Sequence, residues 1–268
     1  MKIWKNTTIF DSYFQEYNFI DSKNEAELVL MGSKKINLSD FKSIKGIFRA
    51  GIGRDNVPEQ EASVKNINVC FPSDRTINII FDETASFTCG LILRMLYEDI
   101  GSVNPWERKM RTQILTKKLL ILGVGNIGSR LAIRMENFMK VLTFDYLQND
   151  EKELKNLISE ADCITLHIPN NKNNYSFIDQ EKLSWMKTGA ILINTSRGSI
   201  VDEKALFHEL KSKRLKAAFD VFWEEPYNGI LKEFYPDNFY MTPHAASTCA
   251  EFISSCKSDL DRFIKELK

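Results

Sequence analysis

Three stretches of the sequence carry a cation, carboxylates and an imidazole. INTSRGSIVD holds Arg197, AAFDVFWEEP holds Asp220, Glu224 and Glu225, and MTPHAAS holds His244, one of three histidines in 268 residues. An imidazole with an ordinary pKa near ~6.5 can take or give a proton close to neutral pH. A carboxylate beside it favours the imidazolium form. A guanidinium can clamp a substrate carboxylate and polarise a carbonyl through a planar fork that Lys does not reproduce. Taken singly, Arg197 is equally a charge on a turn, Glu224 and Glu225 a solvated pair before Pro226, and Asp220 a strand-end cap. His208 reads as a plain helix residue.

A fourth stretch, LLILGVGNIGSRLA, sets Gly123, Gly125 and Gly128 in G-x-G-x-x-G spacing between an apolar run and a helical pattern. There the first glycine permits a tight turn, the second lets a diphosphate approach backbone N–H groups, and the third lets helix pack on strand. The next apolar run ends VLTFD and puts Asp145 22 residues past Gly123, where a carboxylate can accept hydrogen bonds from adenosine ribose hydroxyls. The same charge would repel a 2'-phosphate and no Arg follows in DYLQND, so NAD is favoured over NADP. Cation, carboxylate, imidazole and dinucleotide loop together suit hydride transfer between a nicotinamide and a 2-hydroxy or 2-keto acid, because the hydroxyl proton must leave when the hydride does.

Positioning these groups falls to an alternating chain. From about residue 119 the β-rich runs LLIL, VLTF, CITLHI, AILIN, AAFDVF and FYMT are spaced by helical patterns, which argues for a parallel sheet covered on both faces. Ile127, Leu131, Met135 and Phe138 form one helical stripe, and Asp202 can cap a helix whose Leu206 and Leu210 share a face. A smaller α/β unit precedes it, with strand candidates ELVLM, GIFRA and INVCF. Asp82 to Ile100 predicts a long helix that bridges the units or packs in an oligomer, and residues from Cys249 onward predict an amphipathic helix.

Composition excludes several classes of partner. Lys plus Arg and Asp plus Glu each total 36, so no net field draws the chain to nucleic acid or an anionic bilayer. Cys70, Cys89, Cys163, Cys249 and Cys256 are scattered, without metal-ligand spacing, and read as reduced packing residues. No signal-peptide run and no membrane-spanning run is found, and the expected location is the cytoplasm.

GVGNIGSRLA, ADCITLHIP, MKTGAILINTSRGSIVDEKAL, AFDVFWEEP and TPHAAST occur in this order, and the chain resembles the D-isomer-specific 2-hydroxyacid dehydrogenase family, best from about Glu27 onward. The resemblance implies two Rossmann-like domains. One is a doubly wound, NAD-binding domain of residues 83–243. The other is a smaller, flavodoxin-like, discontinuous substrate domain of residues 1–82 completed by 244–268, with the nicotinamide in the cleft. It makes Arg197 the substrate-orienting arginine, Glu225 rather than Glu224 the partner of the histidine, and His244 the acid/base group. Asp220 would meet the nicotinamide, and Asn126, Ile127, Pro169 and Thr195 would line the cofactor, with His167 a structural residue beside it. The loop IFRAGIGRDNV is similar to the one whose N–H groups receive the substrate carboxylate, which nominates Gly51, Ile52 and Gly53, and MGSKKIN nominates Ser33 and Lys34 at the substrate mouth. The Asp82 to Ile100 helix and NPWERKM match the family's dimerising region, so a homodimer is expected.

The chain departs from the family pattern in a shorter first domain, in Cys70 where Asn is usual, in Thr116 where Gly is usual, and in the asparagines of HIPNNKNNYSFI. These changes bear on the substrate more than on the chemistry. The expected substrates are small 2-keto acids such as glyoxylate, hydroxypyruvate or phosphohydroxypyruvate, with no metal. The alternative is an NAD(H)-sensing regulatory protein of the same fold with little turnover, and a third is a methyltransferase using a similar glycine loop.

Overall fold

Apolar, β-branched runs too short for helices become the inner strands of parallel sheets, buried on both faces. The computed structural model describes residues 1–13, 15–146 and 150–268. They divide into two units, 1–83 with 247–268 and 84–246.

In the first unit β1 (Lys2–Lys5), β2 (Asn18–Phe19), β3 (Leu28–Met31), β4 (Gly46–Arg49) and β5 (Asn68–Cys70) form a parallel sheet in the order β2-β1-β3-β4-β5. The short helix α1 (Glu59–Val64) precedes β5, and α2 (Asp74–Leu96) follows it. The predicted helix therefore begins well before Asp82 and stops short of Ile100; the unit boundary falls inside it. Residues beyond its end form an antiparallel hairpin that periodicity did not reveal, β6 (Gly101–Val103) with β7 (Trp106–Arg108).

The second unit contains β8 (Lys118–Leu122), α3 (Asn126–Met135), β9 (Lys140–Phe144), α4 (Glu151–Glu160), β10 (Cys163–Leu166), α5 (Gln180–Trp185), β11 (Ile191–Asn194), α6 (Glu203–Lys211), β12 (Lys216–Phe219) and β13 (Phe239–Met241). Its six predicted runs are the six strands of a parallel sheet ordered β13-β12-β11-β10-β8-β9. One face packs Leu154, Leu183, Leu206 and Leu210 against Leu120, Leu166 and Leu192; the other packs Leu91, Met95, Leu131 and Met135 against Leu119, Ile121 and Ile193. Asp202 caps α6 by accepting from the Ala205 N–H at 2.9 Å. The α3 stripe ends early, because the helix stops at Met135 and leaves Phe138 exposed.

The last helix, α7 (Ala250–Glu266), returns to the first unit, where Phe252, Cys256, Leu260 and Phe263 complete a core with Ile3, Phe10, Leu28, Leu30 and Phe48. Its buried Asp259 accepts from Ser73 N–H at 2.8 Å and Thr76 Oγ1 at 2.6 Å, so a side chain from α7 caps the start of α2.

Candidate active site

The second sheet grows outward in both directions from β8 and β10, since β9 lies on one side of β8 and β11 on the far side of β10. The crevice beyond the C-terminal ends of such a strand pair is where open parallel sheets bind ligands. Gly123 follows β8 with a left-handed φ of 96°, and a Cβ there would also lie 2.6 Å from the His167 carbonyl oxygen. A Cβ on Gly128 would overlap the Gly123 carbonyl, so this glycine serves close packing of α3 on the turn. Gly125 differs from both: its φ is −75°, and a Cβ would meet no atom within 4 Å. Neither torsion nor packing inside the protein requires glycine at 125, whereas a diphosphate laid over the N-terminus of α3 would. The turn is fixed by Gly123 N–H donating to Phe144 C=O at 2.8 Å and Val124 N–H donating to Asp145 Oδ2 at 3.1 Å. Residues 147–149 of the stretch after Asp145, used above to favour NAD, lie outside the described residues.

Farther along the same edge, His244 Nδ1 lies 2.8 Å from Glu225 Oε2 and 3.0 Å from Oε1, while Glu224 is exposed. A carboxylate only accepts, so Nδ1 carries hydrogen and Nε2 is the nitrogen left to exchange a proton. His244 has φ 54°, a left-handed conformation costing a non-glycine residue about 1 kcal/mol or more. Asp220 holds the loop in that shape. This fully buried carboxylate accepts from Thr242 Oγ1 at 2.6 Å and Ala245 N–H at 2.8 Å on Oδ1, and from Ala246 N–H at 2.9 Å on Oδ2. Burial raises the Asp220 pKa above the usual carboxylate value, opposed by those three donors and by nearby His244. Three of about four carboxylate acceptor sites are thus filled from within the protein. Motif matching gave Asp220 only the cofactor contact; its hold on the histidine loop depends on backbone N–H groups, which leave no trace in residue type.

Arg197 follows β11 on a turn built by Asn194, a fully buried residue that sequence inspection missed. Asn194 Oδ1 accepts from Ser196 N–H and Oγ, and its Nδ2 donates to Arg197 C=O at 2.9 Å. A Cβ on Gly198 would overlap the backbone at Phe222, so the arginine turn lies directly against the chain leading to Glu225. Thr195, nearly buried, meets Thr88 Oγ1 at 3.0 Å; Thr88 donates to Thr84 C=O, so Thr195 is the donor of this contact. Pro169 is exposed after β10, and Asn126 and Ile127 open α3. His208 is exposed on α6.

In the first unit the loop after β4 is shaped by buried Arg49, whose Nη1 donates to Ala50 C=O at 2.8 Å and Nε to Gly53 C=O at 3.2 Å. Gly51 N–H is used within the turn, donating to Arg49 C=O at 2.8 Å. The loop after β3, with Ser33 and Lys34, is tied to this region by Asn56, whose Nδ2 donates to Gly32 C=O at 2.8 Å and Lys34 C=O at 3.4 Å. Asn6 grips the same loop, accepting from Gly32 N–H at 2.7 Å.

A glycine turn at the switch point of a doubly wound sheet, with a histidine–glutamate pair beyond the same edge, marks a dinucleotide-dependent oxidoreductase. Residues 98–246 match the family model described as D-isomer specific 2-hydroxyacid dehydrogenase, NAD binding domain, and the chain belongs to this family of NAD-dependent enzymes. It is 34% identical over 227 residues to a hydroxypyruvate reductase of Thermotoga maritima, covering 78% of this chain and 73% of that one. It is 32% identical over 254 residues to a D-3-phosphoglycerate dehydrogenase of Methanocaldococcus jannaschii, covering 85% of this chain and 47% of that one. A D-lactate dehydrogenase from Aquifex aeolicus, solved with NAD and lactic acid, shares the fold with a TM-score of 0.79 at 23% identity, covering 99% of this chain and 94% of that one.

Proposed function

We propose that the protein interconverts small 2-keto acids and D-2-hydroxy acids, with His244 as acid/base, Glu225 as its partner and Arg197 as the substrate clamp. The His244–Glu225 contact at 2.8 Å carries this assignment. A nicotinamide held at the glycine turn would supply the hydride chemistry, acceptance from the carbinol carbon in one direction and donation to the keto carbon in the other. His244 Nε2 takes the hydroxyl proton in the first direction and, as imidazolium, gives it to the keto oxygen in the second. Glu225 stabilises the ring's positive charge and fixes its orientation. Arg197 pairs with the substrate carboxylate and polarises the keto group.

For the cofactor we assign Gly123, Gly125, Asn126, Ile127 and Gly128 to the diphosphate turn, Asp145 to the ribose, Pro169 and Thr195 to the lining, and the remaining Asp220 acceptor site to the nicotinamide amide. Ile52 and Gly53 N–H groups receive the substrate carboxylate, and Ser33 and Lys34 sort substrates by size and charge. The names of the hydroxypyruvate and phosphoglycerate enzymes above support a short 2-keto acid. NADH oxidation across glyoxylate, hydroxypyruvate and phosphohydroxypyruvate tests the proposal: turnover of one is expected. NADH binding without oxidation by any would favour a sensing role instead.

The unit of function we propose is a homodimer in a reducing cytoplasm. Val103, Trp106 and Met110, on and beside the β6–β7 hairpin, are 80%, 78% and 100% exposed, an apolar display that suits burial against a second copy. A monomer by light scattering would overturn this. The five cysteines, all free thiols, fit such a compartment.

A further inference from the structure

Residues 220–229, which follow β12 and carry Glu225, are irregular backbone. No ladder or helix fixes them, so side chains must hold the carboxylate against His244. Two aromatic side chains straddle it. Trp223 Nε1 donates to Val201 C=O at 2.8 Å, and Tyr227 Oη donates to Glu203 Oε1 at 2.6 Å while accepting from Leu231 N–H at 3.0 Å. Both bonds land on the stretch that leaves the Arg197 turn and begins α6.

The Tyr227–Glu203 contact is the stronger of the two. Glu203 opens α6, where the helix dipole favours a carboxylate, and a short O–H contact to a carboxylate is charge-assisted. Burial, and after it the Glu203 contact, raise the Tyr227 pKa, so the phenol keeps its hydrogen across the neutral range. Gly229 closes over the pair: a Cβ there would lie 2.4 Å from Glu203 Oε1 and 2.5 Å from the Tyr227 hydroxyl. Phe222 stacks on Tyr227 with ring centroids 4.8 Å apart, and its own N–H donates to Glu225 Oε1 at 3.3 Å. The ring fastened to Glu203 therefore packs on the residue whose backbone touches the carboxylate. Core packing alone would need neither polar tip, since Phe at 223 or 227 would also fill apolar space. What the N–H and O–H add is direction, and both point to the same segment.

We propose that Trp223 and Tyr227 are positioning residues, which fasten the Glu225 loop to the segment after Arg197 and so keep the carboxylate on His244 Nδ1. This rests on Glu225 and His244 acting as assigned above. The test is a double-mutant cycle on kcat, with NADH and whichever of glyoxylate, hydroxypyruvate and phosphohydroxypyruvate is reduced fastest. Tyr227→Phe and Trp223→Phe should each lower kcat about tenfold, with NADH affinity within about threefold of wild type. In a Glu225→Gln background the same substitutions should cost less than about twofold, because the carboxylate they position is gone. A merely structural role predicts equal losses in both backgrounds. Equal losses, or full kcat in either folded single variant, would overturn the proposal and leave the acid/base assignment standing. Wild-type protein that reduces none of the three acids, or Glu225→Gln with unchanged kcat, would overturn the assignment as well. Melting curves establish which variants are folded at the assay temperature. If one is not, the other decides; if neither folds, the two aromatics are structural supports and the proposal falls.

Discussion

In the loop after β13 a buried carboxylate, Asp220, takes hydrogens from Thr242, Ala245 and Ala246; in the loop after β4 a buried guanidinium, Arg49, gives hydrogens to the carbonyls of Ala50 and Gly53. Each ion shapes a strand-end loop, with opposite residue. The carboxylate consumes N–H groups and leaves an imidazole fixed in a left-handed turn. The guanidinium consumes carbonyls and leaves N–H groups at Ile52 and Gly53. The roles proposed above follow this difference: the loop proposed to receive an anion keeps its donors, and the loop proposed to carry the acid/base histidine spends them.

The largest effect should follow from removing the group that the first loop exists to hold. His244→Gln should lower kcat by roughly 100- to 10,000-fold with NADH affinity retained, and near-normal turnover in stopped-flow assays would remove the acid/base assignment. Next, Asp220→Asn keeps the volume but turns one acceptor into a donor facing N–H groups. Steady-state kcat should fall roughly 10- to 100-fold, with a lower melting temperature. Arg49→Lys tests the other loop: losing the forked donation should raise KM for the keto acid about tenfold while kcat changes little, and a fall in kcat alone would break the contrast.

How far these loops were legible in the sequence follows from what makes them. The six strands of the second sheet and the glycine turn were readable, because burial on both faces of the four inner strands demands apolar runs, the edge strands keep enough of that pattern, and the turn demands glycine. The first two strands were not, since KIWK and the two-residue β2 carry too little pattern. The start of α2 was hidden because DRTINIIF mixes polar and β-branched residues, and Asp259, remote in sequence, supplies its cap. Arg197, Glu225 and His244 were nominated by type and resemblance. Asn194, Asp220 as an anchor and Arg49 as a shaper of carbonyls escaped notice because most of their partners are backbone atoms.

The smallest effect concerns a third strand-end residue, His167, held by burial rather than by ion-to-backbone bonds. Its folded pKa of about 4 lies below the unfolded value near ~6.5, so between these pH values the unfolded chain binds more protons. The stability that neutral His167 contributes is present above this window and is lost as pH falls through it. Urea midpoints of His167→Asn should therefore depend less steeply on pH than those of wild type over that range; identical slopes would argue that the ring is more solvated than its buried, unpartnered Nδ1 implies.

The split first unit also orders events at the ribosome. Residues 84–246 form a contiguous unit and can fold as soon as they emerge, but Ile3, Phe10, Leu28 and Phe48 are made first and wait longest, because Phe252, Leu260 and Phe263 are synthesised after the entire second unit. Throughout that interval the strands of the first unit carry an uncovered apolar sheet face. They form the segment on which a chaperone that binds exposed hydrophobic surface should dwell, and α7 is the element whose arrival should release it.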